Sequence, residues 1–154
     1  MKTRFQFFLL IVIAFTLVLC QKNEVNEKPP TLTYVETEHG GCNSPFSAQL
    51  KSILLKNDTV GVSNQNDSIS IFVGLNYICC APFQSKYEIK NDSILIAIKD
   101  TCPNPYHSCY CRCDCYYTFD FKFIQSGQGN WHYKIELFSP IAAMSKVIQE
   151  GTIH

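Results

Sequence analysis

Apolar and polar residues alternate with a period of two over several stretches of the chain beyond residue 67. This alternation indicates β-strands that have one face in a core and the other in solvent. Turn-forming residues separate the stretches: Asn91-Asp92 between two of them, and GQGN at 127–130 before another. A last strand is expected from about Lys146 to Ile153. The inward residues predicted for four strands are Ile69, Ile71, Val73 and Leu75; Ile94, Ile96 and Ile98; Phe119, Phe121 and Phe123; and Trp131, Tyr133, Ile135 and Leu137.

The strand pattern predicts an all-β domain. Roughly six to eight short strands in about 110 residues are typical of an antiparallel β-sandwich, immunoglobulin-like in architecture. A small barrel is the alternative fold. The segment SAQLKSILLKN at 47–57 has helical spacing at its start and strand character at its end, so its type stays open.

The first 19 residues have the parts of an export signal. Lys2 and Arg4 precede an apolar run from Phe5 to Leu19, and Cys20 follows. The run is short for a membrane-spanning helix, which needs about 20 apolar residues. A run that stops at a cysteine resembles a bacterial lipoprotein signal, in which the chain is cleaved before Cys20 and that residue carries lipid. A secretory signal cleaved elsewhere and an uncleaved anchor are the alternatives, since Leu19 stands where lipoprotein signals usually have Gly, Ala or Ser.

Three regions follow from this interpretation: a signal peptide at 1–19, the lipid-bearing Cys20 with a flexible tether at 20–33, and a β-sandwich domain at 34–154. Cleavage would leave 11 basic against 13 acidic residues, a net charge near −2, because Lys2 and Arg4 are removed. We therefore expect a membrane attachment through lipid and no nucleic-acid partner, since nucleic-acid binding uses a basic surface.

The run CYCRCDC at 109–115 holds four cysteines at alternate positions. They share the odd phase of Phe119 to Phe123, so an uninterrupted strand would place all four sulfur atoms in the core. Cysteines two apart on a strand are about 6.7 Å apart and point in parallel, which disfavours disulfides within the run. Each is expected to pair with a cysteine elsewhere, as in other exported domains. The eight candidates are Cys42, Cys79, Cys80 and Cys102 outside the run, and Cys109, Cys111, Cys113 and Cys115 within it.

Metal binding is the alternative for these sulfur atoms. Thiolates of Cys109, Cys111, Cys113 and Cys115, with His39 or His107 nearby, could hold zinc or copper(I). Structural zinc sites usually have two or more residues between paired cysteines, whereas one residue intervenes here. The sequence contains no known catalytic motif, so we expect neither enzymatic activity nor a cofactor.

Two surface features complete the candidate residues. Asn-Asp-Ser/Thr triplets end at Thr59, Ser68 and Ser93, and each fits a glycosylation signal. The competing interpretation is that Asn and Asp form turns before strands.

Most aromatic rings fall in the inward phase, which favours core packing over a sugar-binding surface. Tyr110 and Tyr116 are predicted to face outward and to offer a contact surface.

Three segments carry a family resemblance: SISIFVGLNYICC (68–80), YEIKNDSILIAIKD (87–100) and CYCRCDCYYTFDFKFI (109–124). Their order, a paired-cysteine strand, a hairpin and a C-x-C-x-C strand, resembles a group of small uncharacterised lipoproteins of Gram-negative bacteria. The resemblance implies a lipid-anchored β-sandwich. We expect it in the bacterial cell envelope, at the outer membrane. The resemblance brings no established activity. Our own first hypothesis is a non-enzymatic structural or interaction module, with an unidentified protein or glycan as partner.

Overall fold

The computed structural model describes residues 29–41, 58–104, 109–142 and 144–154. The predicted signal peptide, Cys20, Cys42, His107 and the ambiguous segment 47–57 lie outside the described residues. The first strand begins at Thr31, within the segment 20–33 that the sequence assigns to the tether. The described part of the chain is all-β and contains no helix.

Eight strands form two four-stranded sheets in the described residues. One sheet has the order β1-β6-β3-β2 and the other has the order β4-β5-β7-β8. The strands are β1 (Thr31–Gly40), β2 (Thr59–Gln65), β3 (Ser68–Ile78), β4 (Phe83–Lys90), β5 (Ser93–Asp100), β6 (Asp114–Ser126), β7 (Trp131–Ser139) and β8 (Met144–Ile153).

One hydrophobic core lies between the two sheets, and the predicted inward residues form it. The inward residues of β3 and β6 belong to one sheet, and the inward residues of β5 and β7 belong to the other. Ile71 and Phe121 pair across β3 and β6, and both are fully buried. The period-two alternation therefore predicted these four strands and their inward faces correctly, because each packs one face on the other sheet.

The sandwich is not antiparallel throughout, which corrects the sequence-based expectation. β5 and β7 are neighbours and run parallel, with Ile96 opposite Ile135. The chain leaves β5, passes through β6 in the other sheet and returns in β7, so β5 and β7 have the same direction. Two changes of sheet thus separate the parallel neighbours, whereas a hairpin would have made them antiparallel.

Asparagine-aspartate pairs form the tips of two hairpins. Asn66 and Asp67 have positive φ angles of 49° and 61° between β2 and β3, as a two-residue type I′ turn requires. Asn91 has a φ of 53° between β4 and β5. The positive φ angles therefore support the interpretation that these two Asn-Asp pairs form turns.

The cysteine run is not a strand, so the prediction that all four sulfur atoms share the core face is wrong. β6 begins only at Asp114, and Cys115 is the run cysteine that lies in it, buried. The amide of Cys113 donates to the carbonyl of Cys111 at 2.9 Å, which closes a three-residue turn around Arg112. This turn breaks the strand phase and leaves Cys111 and Cys113 exposed.

Candidate functional site

Three disulfides join the cysteine run to cysteines outside it. They are Cys79–Cys113, Cys80–Cys111 and Cys102–Cys109, with Cα separations of 5.4, 5.5 and 5.8 Å. Cys115 is also disulfide-bonded. The pairing rule expected from the sequence, a run cysteine with an outside cysteine, is confirmed for these three pairs.

The disulfides decide what the run can do chemically. All four sulfur atoms named for the metal alternative are in disulfides and offer no thiolate to an ion. Among the residues that the structure describes, no group of three or more His, Cys, Asp or Glu side chains is arranged to hold a metal. The arrangement of the run is that of a brace between the end of β3 and the start of β6.

Backbone hydrogen bonds place the adjacent cysteines for this brace. The Cys79 amide donates to the Cys113 carbonyl at 2.9 Å, and the Cys111 amide donates to the Cys79 carbonyl at 3.0 Å. Cys80 has a φ of 65°, so its side chain points in a different direction from that of Cys79. Cys79 is buried, while Cys80 is exposed. Two neighbouring residues can therefore hold two separate sulfur atoms of the run.

A buried carboxylate anchors the loop that carries the run. Asp100 is 2% exposed at the end of β5. One of its oxygens accepts hydrogen bonds from the hydroxyls of Tyr77 at 3.0 Å and Tyr110 at 2.5 Å, and the other accepts from the Cys102 amide at 2.9 Å. The Tyr77 hydroxyl also lies 2.7 Å from that of Ser139. Asp100 thus ties the cysteine loop to both sheets.

The electrostatics of this cluster keep its tyrosines protonated. Burial raises the pKa of Tyr77, and Asp100 raises it further, while the Ser139 hydrogen bond acts the other way. Burial and Asp100 also raise the pKa of Tyr110 well above its usual range. Phenols that stay protonated serve as hydrogen-bond donors, so the cluster is suited to bracing the fold.

Tyr110 and Tyr116 do not form the predicted contact surface. Tyr110 is half-buried and bound to Asp100. Tyr116 is 4% exposed, and its ring lies across Gly74, where a Cβ atom would clash with it. The Tyr116 hydroxyl is hydrogen-bonded to that of Thr59. The alternation placed Tyr116 on the correct face of β6, but that face is buried here.

The candidate glycosylation residues occupy different environments. The Thr59 hydroxyl is engaged by Tyr116. Ser68 is exposed at the first position of β3, and Ser93 is half-buried at the first position of β5, with its hydroxyl 3.3 Å from Asp92. Both serines follow the hairpin tips described above.

A cleft opens at one side of the sandwich, between the edge strands β1 and β4, and we refer to it as the lateral cleft. It has a volume of about 360 Å³ and is lined by Tyr34, Thr37, His39, Ser85, Lys86, Tyr87 and Phe121. The rings of Tyr34 and Tyr87 stack with centroids 3.9 Å apart. The Tyr34 hydroxyl donates to Thr37 at 2.9 Å, and Ser85 Oγ lies 3.4 Å from His39 Nε2.

An irregularity in β1 decides which side chains enter the lateral cleft. Tyr34 pairs with Phe123 and Thr37 pairs with Phe121, so one extra residue lies between these two inward positions. Such a β-bulge reverses the facing of every residue that follows. It turns Thr37 and His39 inward and sends Glu36 outward, where its carboxylate is 3.0 Å from Lys122 Nζ. Without the bulge, two glutamates would face the core.

The sequence did not reveal this cleft, although it named His39 as a possible neighbour of a metal site. The phase change from Leu32 and Tyr34 to Thr37 and His39 hides the strand from any period-two search. Ser85 lies 46 positions away from His39, so only the tertiary fold brings the two together. His132 is exposed, with its ring 3.9 Å from Asp92 and 3.1 Å from Thr152.

The described residues contain no helix long and apolar enough to cross a membrane. The chain matches no protein-family model, no curated protein and no solved structure.

Proposed function

We propose that the chain is an exported, lipid-anchored protein of the bacterial cell envelope that acts as a non-enzymatic structural or interaction module. Cys20 carries the lipid, the residues between Cys20 and the start of β1 at Thr31 form the tether, and the sandwich is the interacting domain. The observation that carries this proposal is the set of disulfides between the cysteine run and Cys79, Cys80 and Cys102.

The disulfides support export because such bonds persist in oxidising compartments and are rare in the cytosol. The positively charged and apolar N-terminal segment gives an independent reason for export. Lipid on Cys20 would add about 0.8 kcal/mol of membrane affinity per buried methylene, enough for several acyl chains to hold the domain on a membrane. The outer membrane is the proposed location.

The arrangement of the buried polar groups supports a structural role. Asp100 accepts hydrogen bonds from two phenols and one amide. The Tyr117 hydroxyl accepts from the Ala81 amide at 3.0 Å and donates to the Ile78 carbonyl at 3.3 Å, so it fixes the turn that carries Cys79 and Cys80. Each group is engaged in holding a loop in place, as in a rigid scaffold that presents a surface.

An immunoglobulin-like arrangement of the strands is a further part of this proposal, beyond the sandwich itself. The two facing sheets support a sandwich. However, each has four strands and one contains a parallel pair. The constant-type immunoglobulin arrangement has four and three strands instead.

Membrane fractionation with intact mass tests the proposed location and anchor. The full chain would be expressed with its own N-terminus in a Gram-negative host, beside Cys20→Ser as the matched variant. We expect a membrane-bound product that begins at Cys20 and carries acyl mass, and loss of that acyl mass in Cys20→Ser. A wild-type product that retains residues 1–19, or that is cytosolic with free thiols, would contradict the proposal.

A further inference from the structure

We propose that the lateral cleft between β1 and β4 binds a ring of a neutral saccharide. The inference rests on the proposed interaction module and names the chemical class of its partner. Three observations carry it: polar side chains at inward positions, a fixed and exposed aromatic ring, and a lining without a carboxylate.

Polar side chains occupy positions where a sandwich normally places apolar ones. Thr37 and Ser85 lie opposite the fully buried Phe121 and Ile98, which fixes both as inward-facing. His39 lies opposite buried Phe119 and meets its ring edge-on at 5.3 Å. Inward positions of sandwich strands usually pack in the core, and a local departure from that rule is expected where a protein binds something.

The cleft also presents an aromatic surface. Tyr87 is 41% exposed, although its position opposite Ile96 faces inward. Its ring stacks on Tyr34 at an interplanar angle of 15°, and both rings meet Phe123 edge-on at 6.1 and 5.9 Å. The ring plane is therefore fixed before a ligand arrives, which lowers the entropy cost of binding. The C–H face of a pyranose ring is apolar and packs flat on such a surface.

The hydrogen-bonding groups around this ring suit hydroxyl partners. Thr37 accepts from Tyr34 and keeps its own O–H donor and one lone pair. Ser85 and His39 are 3.4 Å apart, longer than a good hydrogen bond, so a ligand hydroxyl can replace that contact. Hydroxyl and imidazole groups each offer donor and acceptor capacity, as sugar hydroxyls do.

The lining of the lateral cleft has no carboxylate, so it does not favour a cationic ligand. The bulge directs Glu36 and Glu38 to Lys122 on the outer face, which removes both carboxylates from the cleft. Lys86 is the one Lys, Arg, Asp or Glu among the lining residues, and its position between the inward-facing Ser85 and Tyr87 places it on the outward side of β4. A volume of about 360 Å³ is at the lower end of the range for ligand pockets, which suits one or two rings.

Saturation-transfer NMR and calorimetry test this inference. The full chain would be purified in a zwitterionic detergent that has no sugar headgroup, and probed with maltohexaose, cellohexaose, xylohexaose and mannohexaose. We expect binding of at least one of them, an affinity at least tenfold weaker in Tyr87→Ala, and a several-fold weaker affinity in Ser85→Ala. Val147→Ala is the matched control, because Val147 is 44% exposed on the edge strand β8 of the same sheet.

Two results would overturn the inference: no binding of any of these saccharides by the wild type, whether or not an aromatic dipeptide binds, or unchanged affinity in a folded Tyr87→Ala. Ser85→Ala removes one half-buried hydroxyl, so its affinity still tests the inference if Tyr87→Ala fails to fold. Each of these results leaves the acyl mass and membrane location measured above unchanged, so failure of this inference is distinct from failure of the proposed function.

Discussion

The Tyr110 hydroxyl donates a hydrogen bond of 2.5 Å to Asp100, and this bond joins the cysteine run to the end of β5. Because Asp100 also holds the Cys102 amide, one buried carboxylate fixes both cysteines of the Cys102–Cys109 disulfide loop. The brace at this end of the sandwich therefore has a polar part as well as a covalent part.

Removing the carboxylate charge or the Tyr110 hydroxyl should destabilise the domain. A hydrogen bond to a charged group contributes about 1.5–3 kcal/mol, so we expect Tyr110→Phe and Asp100→Asn each to lower the free energy of unfolding by about that amount. Urea unfolding with the disulfides intact measures it. Asp114→Asn is the control, since Asp114 is exposed. Equal stability of Asp100→Asn and Asp114→Asn would contradict the bracing role of Asp100.

The raised tyrosine pKa values predict a loss of stability in alkali. Burial is the first cause of the raised pKa of Tyr77, Tyr110 and Tyr117 above the ordinary value of 10.0. Above that pH the unfolded chain loses protons that the folded protein keeps, so the free energy of unfolding falls as pH rises. Urea midpoints from pH 8 to 11 should decline above about pH 10. The decline should be smaller in Tyr110→Phe. A urea midpoint that stays constant from pH 8 to 11 would contradict the raised pKa values of these tyrosines.

Gly74 should be intolerant of a side chain. A Cβ atom there would meet the Tyr116 ring and hydroxyl and lie 2.6 Å from the Thr59 hydroxyl. We expect Gly74→Ala to cost about 1–3 kcal/mol of stability, as overpacking does. Gly61→Ala in the adjacent strand β2 is the matched control, because its nearest contact would be an ordinary 3.8 Å. If the two variants unfold at the same urea concentration, the packing described for Tyr116 is wrong.

The remaining disulfide is predicted to join Cys42 to Cys115. Cys115 is disulfide-bonded, and the other described cysteines are paired among themselves. β1 runs antiparallel to β6 and ends at Gly40 opposite Thr118, so the chain leaves β1 heading toward the start of β6. Mass spectrometry of a non-reduced digest should recover the linked peptides. A free Cys42 thiol, or Cys115 linked to another residue, would disprove the assignment.

Strands with a continuous alternation were predictable from the sequence, and so was the last strand, which was expected from about Lys146 to Ile153 and is β8 (Met144–Ile153). β3, β5, β6 beyond the cysteines and β7 pack one apolar face on the opposite sheet, so their residues carry the signal directly. β1 was missed because its bulge changes the inward phase between Tyr34 and Thr37. The parallel β5–β7 pair depends on the path of the chain between sheets, which no local pattern encodes.

The cysteine pairing was predictable only in part. Strand geometry argued against bonds within the run, and the three pairs agree with that expectation. The same geometry wrongly predicted that Cys111 and Cys113 face the core. The turn at Arg112 that exposes them depends on backbone contacts with Cys79. The lateral cleft was not predictable from the sequence, because it forms only where edge strands of two different sheets meet.

The central claim is that the cysteine run is a structural brace and not a thiolate site, and intact mass with alkylation tests it most directly. The full chain, purified without reductant, would be treated with iodoacetamide before and after reduction. Setting aside the lipid-bearing Cys20, we predict no added label on the native protein and eight labels after reduction, matching the other eight of the nine cysteines. Eight labels on the native protein, or a metal ion retained in its native mass, would contradict the account.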